Sequence, residues 1–241
     1  DQSDAFFTVW EVLLSTLQED PTFVDTTILA SPTSTAHRTL NWMANSNHPD
    51  LTPMIAEDAQ ANAMRLLEYY AVVSIYFSLD GANWNDKMGF LSDADVCDWH
   101  SSSGGVTCDN GHVVEVALGD RYMRGTLDPA LYHLSHLEKW SMDMKYNYFR
   151  WFRGSIFSHI GMLSMLSELT LVHLRLRGAF PSELYQLTQL THLELDSNNF
   201  AGPLPSKIGQ LSALAFLDLG TTDFTGQLPS QIGQLTALTF L

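Results

Sequence analysis

From Val113 onward the chain repeats itself, and that repetition restricts it to an architecture of stacked, near-identical units. Leu190–Ala213 (LTHLELDSNNFAGPLPSKIGQLSA) aligns with Leu214–Ala237 (LAFLDLGTTDFTGQLPSQIGQLTA) without a gap, and the same 24-residue frame starts at Val113, Leu137, Leu166, Leu190, Leu214 and Leu238. A fixed period of this length marks a solenoid, in which each unit touches only its neighbours.

The residue types at each position explain why such units stack. Position four carries Val116, Trp140, Leu169, Leu193, Leu217 and Leu241, and position six carries Leu118, Met142, Leu171, Leu195 and Leu219. Two residues apart, these side chains share one face of a short strand. Positions eleven, fifteen, nineteen and twenty-two are also apolar, for example Phe200, Leu204, Ile208 and Leu211 in the coil that begins at Leu190. A single coil cannot bury this set, whereas stacked coils bury it between them. Position thirteen is Gly125, Gly154, Gly178, Gly202 and Gly226, as expected where the chain turns with positive φ or passes close to a neighbour.

The segment F-x-G-x-L-P-x-x-I-G-x-L, at Phe200–Leu211 and Phe224–Leu235, resembles the plant-type leucine-rich repeat of receptor-like kinase ectodomains. Gly81-Ala-Asn-Trp84, Cys97-Asp-Trp99 and Gly105-Val-Thr-Cys108 are similar to the N-terminal cap of that family. Together with a long helical leader, the layout resembles leucine-rich repeat proteins of diatoms and other stramenopiles more than land-plant ones. The resemblance implies an α/β solenoid: a curved leucine-rich repeat with a parallel inner β-sheet, an N-terminal disulfide cap and an α-helical leader. Its implied divisions are a leader at 1–80, a cap at 81–112 and repeats at 113–241, with five full coils and a sixth begun. It also implies that Cys97 and Cys108 are bonded, which would stabilise the cap by about 2 to 3 kcal/mol. That pairing favours an extracellular or cell-surface location, with an oxidising organelle lumen as the alternative. Two buried free thiols are the competing reading, and the absence of any N-x-S/T sequon keeps the lumen in view.

In the leader, Asp4–Leu17 places Phe6, Trp10, Leu13, Leu14 and Leu17 along one side of a helix. Ser31-Pro32 and Thr52-Pro53 each read as an N-cap with proline at the first helical position, and the third helix, from about Pro53, ends at Asp80-Gly81. Packing onto the open end of the solenoid is expected of this third helix. Asp4–Leu17 suits such packing and partner binding equally. The apolar run Leu66–Leu79 is interrupted by Glu68 and too short to span a bilayer, so membrane contact would come through sequence beyond this chain or a partner. A chain beginning at Asp1 suggests removal of a leading segment, and one ending at Leu241 suggests further coils that would cover Leu217, Leu219 and Phe224.

No motif of an enzyme is present: no G-x-S-x-G, H-E-x-x-H, Walker A or G-x-G-x-x-G. Asp93, Asp95, Asp98 and Asp109 lack calcium-loop spacing and read as solvated carboxylates. His133 and His136 have no third ligand within sequence reach, so no metal or cofactor is expected. Charge is uneven, with 16 acids and 3 bases in residues 1–112 against 11 and 9 thereafter, which disfavours nucleic acid as a partner of the leader.

Two candidate binding surfaces follow from the repeat columns. Arg124, Arg153 and Arg177 share position twelve, and an insertion in the second coil adds Tyr146, Tyr148 and Trp151 beside them. Arginines with aromatics suit an interface, although the acidic leader could equally neutralise this strip. On the inner sheet, Glu194, Asp196 and Asp218 gather across two coils on a face that is either simply solvated or used for binding. The favoured function is a non-enzymatic recognition module for a protein, peptide or glycan ligand. The alternative is a structural subunit of a larger assembly, anchored by its helical leader.

Overall fold

In the computed structural model, residues 11, 15, 31–46, 48, 49, 51, 54, 62–119, 122–145, 152 and 154–241 are described. Each coil of the repeat region makes one short strand, a turn, an extended segment and a five-residue 3-10 turn. The strands are β3 (His112–Leu118), β4 (Lys139–Asp143), β5 (Glu168–Val172), β7 (His192–Glu194) and β9 (Phe216–Asp218), and they pair in parallel, in that order. β1 (His100–Ser101) and β2 (Gly104–Asp109) extend this sheet antiparallel at its N-terminal edge. A second, parallel sheet of β6 (Arg177–Gly178), β8 (Asn199–Gly202) and β10 (Asp223–Phe224) follows the first around each turn of the coil. The fold is therefore a leucine-rich repeat solenoid with a parallel inner sheet.

Register transmits the sequence period into space. Val116 lies beside Trp140, Trp140 beside Leu169, Leu169 beside Leu193 and Leu193 beside Leu217, so position four forms one column. All five are at most 1% exposed, and each buried Leu is worth roughly 2 kcal/mol of transfer free energy. The 3-10 turns at Ser182–Gln186, Ser206–Gln210 and Ser230–Gln234 each follow a proline in extended conformation, which presets the backbone for the turn. Leu184 and Ile208, inside two of these turns, close the opposite wall of the core. Leu217, expected to be covered by further coils, is already covered within the described residues. Its N–H donates to the Phe240 carbonyl at 3.1 Å and its side chain is fully buried, while Leu219 and Phe224 are half-buried.

Asn198 joins adjacent coils by hydrogen bonds that an apolar side chain cannot make. Its Oδ1 accepts from the Leu176 N–H at 3.0 Å, and its Nδ2 donates to the carbonyls of Leu171 at 2.6 Å and Leu195 at 2.9 Å. It is 3% exposed. One coil earlier the same column holds Leu174, fully buried, and one coil later Thr222 gives a single bond to the Leu219 carbonyl at 2.7 Å. Just before this column the chain turns left-handed at His173, Ser197 and Thr221, with φ of 59°, 55° and 48°.

The leader covers the N-terminal end of the stack. Helix α1 (Thr35–Asn45) packs on helix α2 (Ala63–Ser78), with Thr39 and Ser74 hydroxyls 3.1 Å apart in the buried seam. The N-cap of α1 is Ser34, which accepts from the His37 N–H at 3.1 Å, rather than the expected Ser31. Ser31 instead accepts the Ser34 N–H through its carbonyl, closing the turn that precedes the helix. The segments Asp4–Leu17 and Thr52-Pro53 lie outside the described residues, apart from Glu11 and Ser15 in the first. Helix α2 is buried on nearly every side from Leu66 to Tyr76, because α1, the cap and the first coil all pack on it. It ends as expected, with Asp80 left-handed at φ 59°. Gly125 sits so close to this end that a Cβ would meet the Ser78 carbonyl oxygen at 2.0 Å, so no larger residue fits.

The cap is held by the Cys97–Cys108 disulfide and by tryptophans whose indoles are satisfied internally. Trp99 donates to the Ala94 carbonyl and Trp84 to the Leu79 carbonyl, both at 2.8 Å. Asp93, Asp98 and Asp109 are exposed as expected, but Asp95 is not a solvated carboxylate. It accepts from the Cys97 N–H at 2.8 Å, from Arg65 at 2.5 Å and from the Tyr69 hydroxyl at 2.8 Å. Partial burial would by itself raise its pKa, but the Cys97 N–H, Arg65 and Tyr69 outweigh that and hold the carboxyl below its usual range.

Two substitutions check these contacts. Asn198→Ala leaves a buried N–H and two carbonyls unpaired, and urea unfolding should show a loss of about 3 kcal/mol with an unchanged m-value. Asp95→Asn should cost about 1 to 2 kcal/mol at neutral pH. Because the folded pKa of Asp95 is depressed, its contribution is complete above the unfolded value of about 4 and fades as pH falls through the folded one, so the two stability curves should converge in acid.

Candidate functional site

Alternation along each repeat strand sends positions four and six into the core and positions three, five and seven to the open face of the inner sheet. On the last two paired strands this face carries three carboxylates. Glu194 lies in register with Asp218 across the β7–β9 pair, and carboxylate oxygens of Glu194, Asp196 and Asp218 fall within 4.8 Å of one another. All three are half-buried. Local donors orient them: Gly220 N–H gives 2.8 Å to Asp218 Oδ1, and the Ser197 hydroxyl gives 2.8 Å to Asp196 Oδ2. The structure thus brings together the three acids that the column pattern grouped.

Beside them runs a column that columns five, seven and eight do not reveal. Position three reads Glu115, Lys139, Glu168, His192, Phe216 and Phe240 along the sheet. In the early coils it is ionic, with Lys139 Nζ 2.6 Å from Glu168 Oε1. In the late coils it is aromatic: His192 stacks on Phe216 with centroids 4.2 Å apart and planes 7° from parallel, and Phe216 on Phe240 at 4.4 Å and 5°. Phe240 is 47% exposed. His192 Nε2 lies 3.4 Å from Glu194 Oε2, which links the aromatic stack to the acidic group. Reading position three as a column, with the same two-residue alternation used for four and six, would have found it.

Of the arginine strip, Arg124 and Arg177 do not join this face. Arg177 is exposed on β6, in the second sheet, opposite Asn199. Arg124 is half-buried, and its N–H donates to the Leu79 carbonyl at 3.2 Å, at the C-terminal end of α2. Tyr146, Tyr148, Trp151 and Arg153 lie outside the described residues.

Chemically, the late-coil face offers fixed negative charge next to flat apolar rings, a combination suited to a ligand that carries both cationic and apolar groups. Comparisons with known proteins place the fold. A Leucine Rich Repeat family profile matches residues 189–211. The ectodomain of the receptor kinase SOBIR1 from Arabidopsis thaliana aligns over 72% of this chain and 89% of its own length, at 21% identity and a TM-score of 0.56. The Arabidopsis thaliana BIR3–SERK2 complex provides a match over 59% of this chain and 74% of the matched one, at 23% identity and a TM-score of 0.50. A plant ice-binding protein is 26% identical over 70% of this chain, with a TM-score of 0.55, and the match spans 55% of that protein. These likenesses show the leucine-rich repeat fold.

Lys139 and Glu168 each keep 45% of their side chains exposed, so their pairing gains little over solvation. A double-mutant cycle with alanine at both positions should give a coupling energy below about 1 kcal/mol that shrinks further with added salt.

Proposed function

We propose that this chain is a non-enzymatic recognition module that binds a basic, partly apolar segment of a protein or peptide across the open face of its last coils. The observation that carries the reading is the juxtaposition of the His192–Phe216–Phe240 stack with Glu194, Asp196 and Asp218. Apolar rings in ordered, half-exposed positions contribute contact area at little entropic cost, and neighbouring carboxylates select cationic partners. A glycan fits less well, because both faces of the central ring, Phe216, are covered by His192 and Phe240. The likeness to an ice-binding protein does not shift this reading. A ligand with a regular repeating surface is matched by columns that repeat, and position three here changes from ionic to aromatic along the sheet.

The Cys97–Cys108 bond supports a place at the cell surface or in the lumen of the secretory pathway, where such bonds persist. Among the described residues no helix is long and apolar enough to cross a membrane. Helices α1 and α2 bury their apolar faces against the chain's own core, so their described surfaces serve the fold before any larger assembly. The helical leader before the repeats, a layout resembling diatom and other stramenopile proteins, belongs to the same proposal.

Selection of a random peptide library on the full chain tests it. Enriched sequences should combine Lys or Arg with an aromatic or aliphatic residue, and should bind more weakly as salt rises. Glu194→Gln with Asp218→Asn, and separately Phe216→Ala, should each weaken them about tenfold or more. Peptides that bind these variants as tightly as the unaltered chain would move the site elsewhere.

A further inference from the structure

We propose that Glu68, His112 and His136 form a binding site for a divalent transition-metal ion, zinc by preference, that ties the helical leader to the first two coils. The three residues come from α2, from the start of β3 and from the turn before β4. One ligand atom from each lies within 4.8 Å of the other two. Glu68 Oε1 is 3.1 Å from His112 Nδ1 and 3.8 Å from His136 Nδ1. Tetrahedral zinc, with bonds near 2.1 Å to nitrogen and oxygen, spaces its ligand atoms about 3.4 Å apart, a value that these two distances bracket.

An ordinary carboxylate–histidine hydrogen bond accounts for His112 but not for His136, whose Nδ1 lies near the same oxygen yet beyond hydrogen-bond reach. The two imidazoles stack with centroids 4.1 Å apart, so both edges meet one carboxylate oxygen. Glu68 is fully buried, and its other oxygen is held by Arg65 Nη1 at 3.0 Å. Arg65 is anchored in turn by Asp95. This second layer fixes the ligand carboxylate, as outer partners do in metal sites. One guanidinium between two carboxylates leaves a net negative charge, which a cation offsets. Each histidine side chain is about a third exposed, at 36% and 33%, which provides an entry path and room for a water as fourth ligand. Nitrogen donors select zinc and its transition-metal neighbours over calcium or magnesium. The three-carboxylate group Glu194, Asp196 and Asp218, also among the described residues, offers only oxygen and serves as the internal contrast.

Titration of the full chain with Zn²⁺ alone, followed by calorimetry and by thermal unfolding, tests the assignment. One equivalent should bind and raise the Tm, and Co²⁺ in its place should give the visible absorption of a tetrahedral site. Glu68→Gln risks misfolding by unpairing Arg65, so the deciding variant is His112→Gln with His136→Gln, its folding checked by circular dichroism and by an intact disulfide. It should lose at least about tenfold in zinc affinity and most of the Tm shift. Glu194→Gln with Asp218→Asn should retain both. Absence of saturable binding by the unaltered chain, or binding that survives in the folded double-histidine variant, overturns the proposal.

Discussion

Every coil of this protein depends on the next one for its core. A 24-residue unit presents apolar residues at one, four and six in and around a strand of three to seven residues, too short to fold back on itself, and its hydrogen-bonding edges stay open until a neighbour arrives. Stacking solves both problems at once, since the parallel register that pairs the strands also superposes the apolar columns. The same dependence makes the first coil a liability. Helix α2 meets it by turning almost its whole circumference into core, between α1 on one side and the cap and first coil on the other. The approach of Gly125 to the end of α2 shows how closely leader and solenoid are fitted.

Once the inward positions are committed, the outward ones are free to differ from coil to coil. Position three moves from the Lys139–Glu168 pair to stacked rings, and position five from Ala117 and Ser141 to Glu194 and Asp218. Strand spacing near 5 Å then converts a change in residue type at one position into a continuous chemical surface. Any recognition by this chain is written in that surface, while its stability resides in the columns beneath.

The repeat frame, the buried columns, the end of α2 and the grouping of Glu194, Asp196 and Asp218 were legible because each follows from a local period: two along a strand, 3.6 along a helix, 24 between coils. The cap pairing of Cys97 with Cys108 was legible through motif resemblance. Asp95 escaped such reading, as its partners Arg65 and Tyr69 lie on a helix 30 and 26 residues away. The cap of α1 was misplaced by three residues, because Ser31 and Ser34 are equally good caps and only the turn between them decides.

By itself, then, the sequence determined that this chain stacks coils, which side chains fill them and which residues share a column, because a solenoid repeats one local geometry and contacts run between corresponding positions. Contacts outside that period were decided by tertiary structure alone. His136 has no ligand partner near it in sequence, yet it shares a buried carboxylate with His112 because α2 crosses the open end of the first coils and delivers Glu68 from 44 residues upstream of His112. Nothing periodic encodes that crossing; it follows from the need to cover an apolar end with a helix of matching shape.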